Sequence, residues 1–308
     1  MDDLTRRVKD LARANRMDLV GVASLDRYAH APPMARPQAH LPEARAVISM
    51  AIRYPQAMYE NAGWGDAESM MSMEVYQNRV IGLCLYQAAM AVTRMLENAG
   101  HQTIPMCVSG RWRIHPYKSN PSSWMADFSN RHAAVAAGLG EFGLHSLAIT
   151  PQYGLRQRFI SVITEAPLDA DPMYDGPPLC DRCMACVEQC PVGAFDARAS
   201  SLETVIIGGR TFEYAKVDHW RCAWSEQLSM IPEEGPQYFG QTVAMRPPAD
   251  GDIDDKMILS AFYERCRRAG LQSKWSHTMG NCMRVCVPPH LRAVQKPPPP
   301  IRKFAEVE

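Results

Sequence analysis

Residues 3–15 place Leu4, Val8 and Leu11 on one helical face and Arg6, Lys9 and Arg13 on the other, the pattern of a surface helix. Leu19–Ala23 is a short apolar run that predicts a buried strand, and Ala46–Ile52 predicts a second, ending at Arg53-Tyr54-Pro55. The proline-rich stretch His30–Pro42 between them predicts a surface loop. A long helical pattern runs from about Ala67 to Glu97 through Tyr76, Leu83, Tyr86, Ala89, Val92 and Leu96, with Gly100 as its stop. Thr103–Cys107 reads as an edge strand, because Pro105 cannot donate to a central ladder. A polar, aromatic loop from Gly110 to Lys118 runs on to Trp124 and Asp127, and His132–Ala137 then predicts a small-residue helix. Ser146–Thr150 and Phe159–Thr164 predict two more strands, joined by Gln152-Tyr153-Gly154. Strands interleaved with helices predict an α/β domain over residues 1–170. Ala166–Pro178, rich in Pro and Asp, reads as the linker to a loop-rich domain over 171–308, which closes on the four-proline stretch Pro297–Pro300.

The loss of apolar periodicity after residue 171 coincides with a change in what organises the chain. Cys180, Cys183, Cys186 and Cys190, followed by Pro191, read C-x2-C-x2-C-x3-C-P, the run that holds cubane clusters in bacterial ferredoxins. The two-residue gaps curl the backbone so that three thiolates converge on one cluster, while the fourth, beyond the curl, serves a second cluster. Zinc motifs favour two separated Cys pairs, and a disulfide framework does not suit a long chain without a secretory pattern. Downstream, Cys282 and Cys286 form a C-x3-C followed one residue late by Pro288. The expected crossover returns Cys286 to the first cluster and gives the second Cys190, Cys282 and Cys222. The fourth ligand position of the second cluster holds Met279, which predicts either [3Fe–4S] or [4Fe–4S] with an open iron. His277 and Cys266 are the nearest alternative ligands, although Cys266 reads equally as a packing thiol on a helix.

Composition changes this picture little. The 308 residues carry 33 Lys and Arg against 33 Asp and Glu, so the net charge of zero argues against nucleic acid as a partner. No apolar run approaches the ~20 residues of a membrane span, and Arg6-Arg7 is not followed by an apolar stretch, so a cytoplasmic location is expected. Reduced thiolates are available to iron there. Gly138, Gly140 and Gly143 follow a helix rather than a strand, the reverse of a dinucleotide fingerprint.

The succession His132–Gly143, then Ile149-Thr-Pro-Gln-Tyr-Gly154, then Val162–Leu168, then the ferredoxin run, resembles the reductive dehalogenase and epoxyqueuosine reductase superfamily. The resemblance implies an α/β, corrinoid-reductase-like domain followed by a bacterial two-cluster ferredoxin-like domain. It also implies cobalamin in the first domain, reduced through the two clusters by a donor such as ferredoxin or flavodoxin. A small or nucleoside-like substrate would then be dehalogenated or deoxygenated. On this reading Gly138, Gly140, Gly143, Tyr153 and Gly154 meet the corrin, and Tyr76, Asp127 and His145 are the candidate proton donors. Each of the three has a structural alternative: core packing for Tyr76, a helix N-cap for Asp127, and simple hydrogen bonding for His145. Leu144 stands where both families usually place a basic residue, and Trp124 where epoxyqueuosine reductases place their acidic aspartate. A two-cluster electron carrier without cobalamin, and a reductase acting at an open iron of the second cluster, are the alternatives.

Overall fold

The computed structural model describes residues 1–60, 80–108, 128–190, 192–228, 248, 253, 256–257, 260–261 and 281–296. Two compact units are present. The first takes residues 1–54, 80–181 and 203–214, and the second takes 55–79, 182–202 and 215–308.

In the first unit the helices are α1 (Asp3–Ala14), α2 (Ile81–Asn98) and α3 (Asn130–Ala136). Its strands are β1 (Leu19–Ser24), β2 (Ala46–Arg53), β3 (Thr103–Pro105), β4 (Glu141–Phe142), β5 (Ala148–Ile149) and β6 (Gln157–Thr164). The main sheet has the order β1-β2-β6-β3, and every ladder in it is antiparallel. Pro105 lies on the edge strand, as its missing N–H requires. The strand expected at Ser146–Thr150 shrinks to β5, which pairs with β4 outside the main sheet. The long helix expected from residue 67 is described from Ile81 onward, and it ends against Gly100, whose φ of +88° makes the left-handed stop.

Directly opposed residues of an antiparallel sheet share a face. Gly21, Ser49 and Ser161 therefore form one row, flanked by Ala23, Val47 and Ile163. Helix α3 lies on this face, where Ala133, Ala134, Ala136 and Ala137 pack with Ala23, Val47 and Ile163. The opposite face carries Val22, Ile48, Met50, Ile160 and Val162 and takes α1 and α2. Small residues on both sides bring α3 close: a Cβ on Gly21 would collide with the Ala137 carbonyl oxygen and stand 3.0 Å from Leu139 Cδ2.

The segment read as a linker is instead fastened to the sheet. Asp171 N donates to Val22 O at 2.9 Å, and Val22 N donates to Asp171 Oδ2 at 2.8 Å, which satisfies the open edge of β1. Lys9 Nζ reaches Asp171 Oδ1 at 2.5 Å, and Arg27 ties the Asp171 and Ala136 carbonyls together at 2.6 and 2.5 Å. The acidic side chain that suggested a solvated connector is an acceptor for an unpaired strand edge. A hairpin of β7 (Leu202–Ile207) and β8 (Arg210–Val217), turned by Gly208-Gly209 with φ of +56° and +74°, adds Ile207 and Tyr214 to the same core around Phe142.

The second unit contains α4 (Ala185–Glu188), α5 (His219–Leu228) and α6 (Asn281–Val285). Helices α4 and α6 pack against one another. Asp218 caps α5, accepting from Trp220 N and Arg221 N at 3.0 Å, and its own N–H donates to Ala194 O at 2.8 Å. The short helix Gln56–Glu60 binds the chain near residue 295, through Gln56 Nε2 to Val294 O at 2.7 Å and Lys296 N to Glu60 Oε1 at 2.8 Å. Pro191 and Pro297–Pro300 lie outside the described residues.

Two substitutions probe this packing. Gly21→Ala should lower stability by roughly 1–3 kcal/mol, since either α3 or β1 must shift to admit the methyl group; an unchanged denaturation midpoint would contradict the close approach. Burial, aided by the Arg131 charge, holds the His132 pKa down to about 3, and its Nδ1 lies 2.6 Å from Ser129 Oγ. The unfolded chain takes up this proton near pH 6.5 and the folded chain does not, so stability falls as pH drops from about 6.5 toward about 3. His132→Asn should remove up to one proton from that dependence, about 1.4 kcal/mol per pH unit, when chemical denaturation is compared at pH 7 and pH 5.

Candidate functional site

The site is built at the C-terminal end of α3. There the chain turns at Gly138, whose φ is +77°, and enters the β4–β5 hairpin. The hairpin loop, residues 143–147, is closed by Gly143 N to Leu147 O and Ser146 N to Gly143 O, both at 2.9 Å. Ser146 sits at φ +64°, an uncommon conformation for a non-glycine residue, and Arg131 holds it through Ser146 O at 3.1 Å and Oγ at 2.8 Å. Glu141 accepts from Leu179 N at 2.5 Å and so brings the start of the cysteine run to the hairpin. Leu144 N then donates to Cys180 Sγ at 3.4 Å. The missing basic side chain at Leu144 thus leaves the backbone N–H at that position in use.

His145 is 3% exposed. Its Nδ1 accepts from Leu147 N at 3.1 Å, so the neutral ring carries its proton on Nε2, and that Nε2 has no hydrogen-bond partner. Burial first, and the Arg131 charge second, lower its pKa to about 4. The ring therefore stays neutral at pH 7, a hydrogen-bond donor rather than a stored acidic proton. It lies over Gly143, where a Cβ would stand 2.5 Å from Cε1 and 2.8 Å from Nε2.

The other glycines expected to meet a corrin are also closely packed. A Cβ on Gly138 would collide with Pro172 O, and one on Gly140 with Ile149 O. Gly154, at φ +64°, exchanges both backbone hydrogen bonds with Thr150 at 2.9 Å. Tyr153 N donates to Thr150 Oγ1 at 3.2 Å, and the Arg53 guanidinium lies 5.9 Å from the Tyr153 ring centre. On the side where a Cβ would project, Gly138, Gly140 and Gly143 are filled by protein, so on that side they do not fit a corrin plane.

In the second unit Arg182 and Met184 adopt φ of +54° and +65°, left-handed positions on either side of Cys183. Such conformations cost of order 1–3 kcal/mol and gather at functional sites. They bend the backbone into α4, on which Cys186 is buried. Cys190 Sγ accepts from Ala194 N at 3.3 Å. Cys222 lies in the first turn of α5, while Cys282 lies on α6 and Cys286 just beyond it. The packing of α4 on α6 brings the elements carrying Cys186 and Cys282 together. Among the described residues the cysteines form no disulfide. Among the described residues no group of three or more His, Cys, Asp or Glu is arranged around a single metal ion. Thiolates of a four-iron cluster each bind a different iron and stand farther apart than that. N–H···S hydrogen bonds and strained turns suit such a cluster.

Tyr76, Asp127, Met279, Cys266 and His277 lie outside the described residues. The N-cap role open to Asp127 is taken by Ser129, whose side chain accepts from His132 N. Sequence reasoning missed the Leu144 and Ala194 amides, which carry no side-chain signal, and Arg131. It also missed Arg284, fully buried between Cys282 and Cys286. Its spacing inside the C-x3-C was visible, but nothing in the pattern told a buried Arg from a solvated one. No helix among the described residues is long and apolar enough to cross a membrane.

No family model matches the chain. Tetrachloroethene reductive dehalogenase of Sulfurospirillum multivorans is 31% identical over 128 residues, 39% of this chain and 23% of the relative. Epoxyqueuosine reductase of Escherichia coli K12 is 28% identical over 161 residues, 52% of this chain and 38% of the relative. The aligned stretches thus span about a quarter to two-fifths of these curated relatives. Among solved structures, a reductive dehalogenase described with a mechanism for B12-dependent dehalogenation matches with TM-score 0.51 and 16% identity, covering 89% of this chain and 35% of the other. An epoxyqueuosine reductase with an epoxyqueuosine-modified tRNA stem loop matches with TM-score 0.47 and 17% identity, covering 75% and 59%. The sequence relatives of both kinds support a likeness to the reductive dehalogenase and epoxyqueuosine reductase superfamily.

Proposed function

We propose that the chain is an iron–sulfur reductase that carries electrons through two clusters to a reductive bond cleavage. The observation that supports this best is the cysteine run itself, set in strained turns, with backbone N–H groups donating to Cys180 and Cys190. Cys180, Cys183, Cys186 and Cys286 would hold one cluster, and Cys190, Cys222 and Cys282 the other. The packing of α4 on α6 supports that crossover, because it joins the elements on which the two runs lie. The relatives are reductases, which supports reductive chemistry and an enzyme.

Cobalamin is the acceptor this reading assigns; the open side of Gly138, Gly140 and Gly143, with Tyr153 and Gly154, would have to hold it, and it would supply the reducing chemistry. The alternative is a two-cluster electron carrier without cobalamin, favoured by the filled side of the three glycines and by Leu144. Substrate class follows the two kinds of relative: a small halogenated molecule or a modified nucleoside. The epoxyqueuosine reductase solved with a tRNA stem loop leaves the exclusion of nucleic acid, made from net charge alone, without support. A ferredoxin or flavodoxin would supply the electrons.

Protein reconstituted anaerobically with iron and sulfide should show two spectroscopically distinct clusters, one of them three-iron or with a labile iron, because Met279 stands at a ligand position. Mössbauer spectra with two equivalent, fully thiolate-bound [4Fe–4S] clusters would contradict this. Cobalamin retained at about one per chain through gel filtration supports the reductase reading; its loss from protein with intact clusters selects the electron carrier.

Cys190→Ser and Cys286→Ser should damage different clusters, the second and the first respectively, in the EPR spectrum. Loss of the same component in both variants would overturn the crossover.

A further inference from the structure

We propose that His145 donates its Nε2–H to the sulfur cage of the cluster that Cys180 ligates, and thereby raises the reduction potential of that cluster. The inference rests on the reading of Cys180 as a cluster ligand. The imidazole is buried, and its Nδ1 is occupied by the Leu147 N–H, which leaves the proton on Nε2. That Nε2–H is buried without an acceptor. An orphaned buried donor costs about 1–3 kcal/mol, so a folded chain keeps one where a bound group supplies the acceptor.

The hairpin indicates which group that is. Leu144 N, in the preceding residue, donates to Cys180 Sγ at 3.4 Å. Gly143, in the same loop, lacks the Cβ that would stand 2.8 Å from Nε2, so the ring can lie against the loop beside the Leu144 amide. Ser146, strained at φ +64° and held by Arg131, fixes the turn that presents both donors. An acceptor bound at Cys180 would receive the amide on its thiolate and the imidazole on a sulfide or a second thiolate. Each N–H···S bond stabilises the more negative, reduced form of a cluster and so raises its potential. His145 is a positioning and tuning residue on this account, not a proton donor to substrate.

The test is a redox titration of anaerobically reconstituted protein, followed by EPR. His145→Phe keeps the ring volume and removes the donor; the potential of the Cys180 cluster should fall, with that of the other cluster unchanged. His145→Gln, which can offer an amide N–H, should recover part of the shift. Protein labelled with 15N-histidine should show a weak nitrogen coupling to the Cys180 cluster in pulsed EPR, lost in both variants. If His145→Phe fails to fold or assemble, the 15N coupling in the parent protein decides alone. Two intact clusters with neither a shifted potential nor a 15N coupling overturn the inference and leave the iron–sulfur reading standing. Absence of any cluster on reconstitution instead overturns the iron–sulfur reading beneath it.

Discussion

The close approach of Gly21 to the Ala137 carbonyl, which leaves no room for a Cβ, sets where the candidate site can stand. Ala137 is the C-cap of α3, and from it the chain passes through Gly138 and Gly140 into the β4–β5 hairpin. A larger residue at 21 would lift α3 off the Gly21-Ser49-Ser161 row and carry the hairpin with it. Gly138 and Gly140 repeat the device one step on, since each admits a carbonyl oxygen, Pro172 and Ile149, where a Cβ would be. Close packing of this kind transmits position well, because interiors at crystal-like density have no slack to absorb a shift. The amide of Leu144 reaches Cys180 at the end of that series of contacts.

The same glycines mark where sequence reading succeeded and where it could not. Apolar periodicity located β1, β2 and β6 closely, because buried strands are the simplest pattern a sequence contains. It could not give strand direction, and the main sheet is antiparallel throughout. Three glycines within six residues signalled close approach correctly, but not by what. A flat cofactor and a neighbouring carbonyl both demand the absence of Cβ, and only coordinates tell them apart. Asp171 misled for a related reason. Acidic residues beside prolines read as solvated connector, while here one carboxylate serves Val22 and Lys9 at a sheet edge. The reading of the cysteine run rests on its spacing alone. The amides that donate to Cys180 and Cys190 could not be read at all, because a backbone N–H has no letter of its own.

On the proposed cluster reading, His145 and Arg284 bear on what surrounds the run. Burying a polar group is costly unless something answers it, and the two residues lie beside opposite ends of the cysteine pattern, one near Cys180 and one between Cys282 and Cys286. A neutral N–H donor and a permanent cation act on a cluster in the same direction, since both favour the reduced, more negative state. They differ in reach. The hydrogen bond acts over contact distance, whereas a buried guanidinium is felt farther, because little solvent screens it. A histidine held neutral by burial and by Arg131 adds its donor without adding charge that would vary across physiological pH. On the proposed reading, electron flow through such a site would not vary with pH as it would beside a protonating histidine. The low pKa of His145, set against a general acid role at pH 7, is therefore the property that suits a tuning residue.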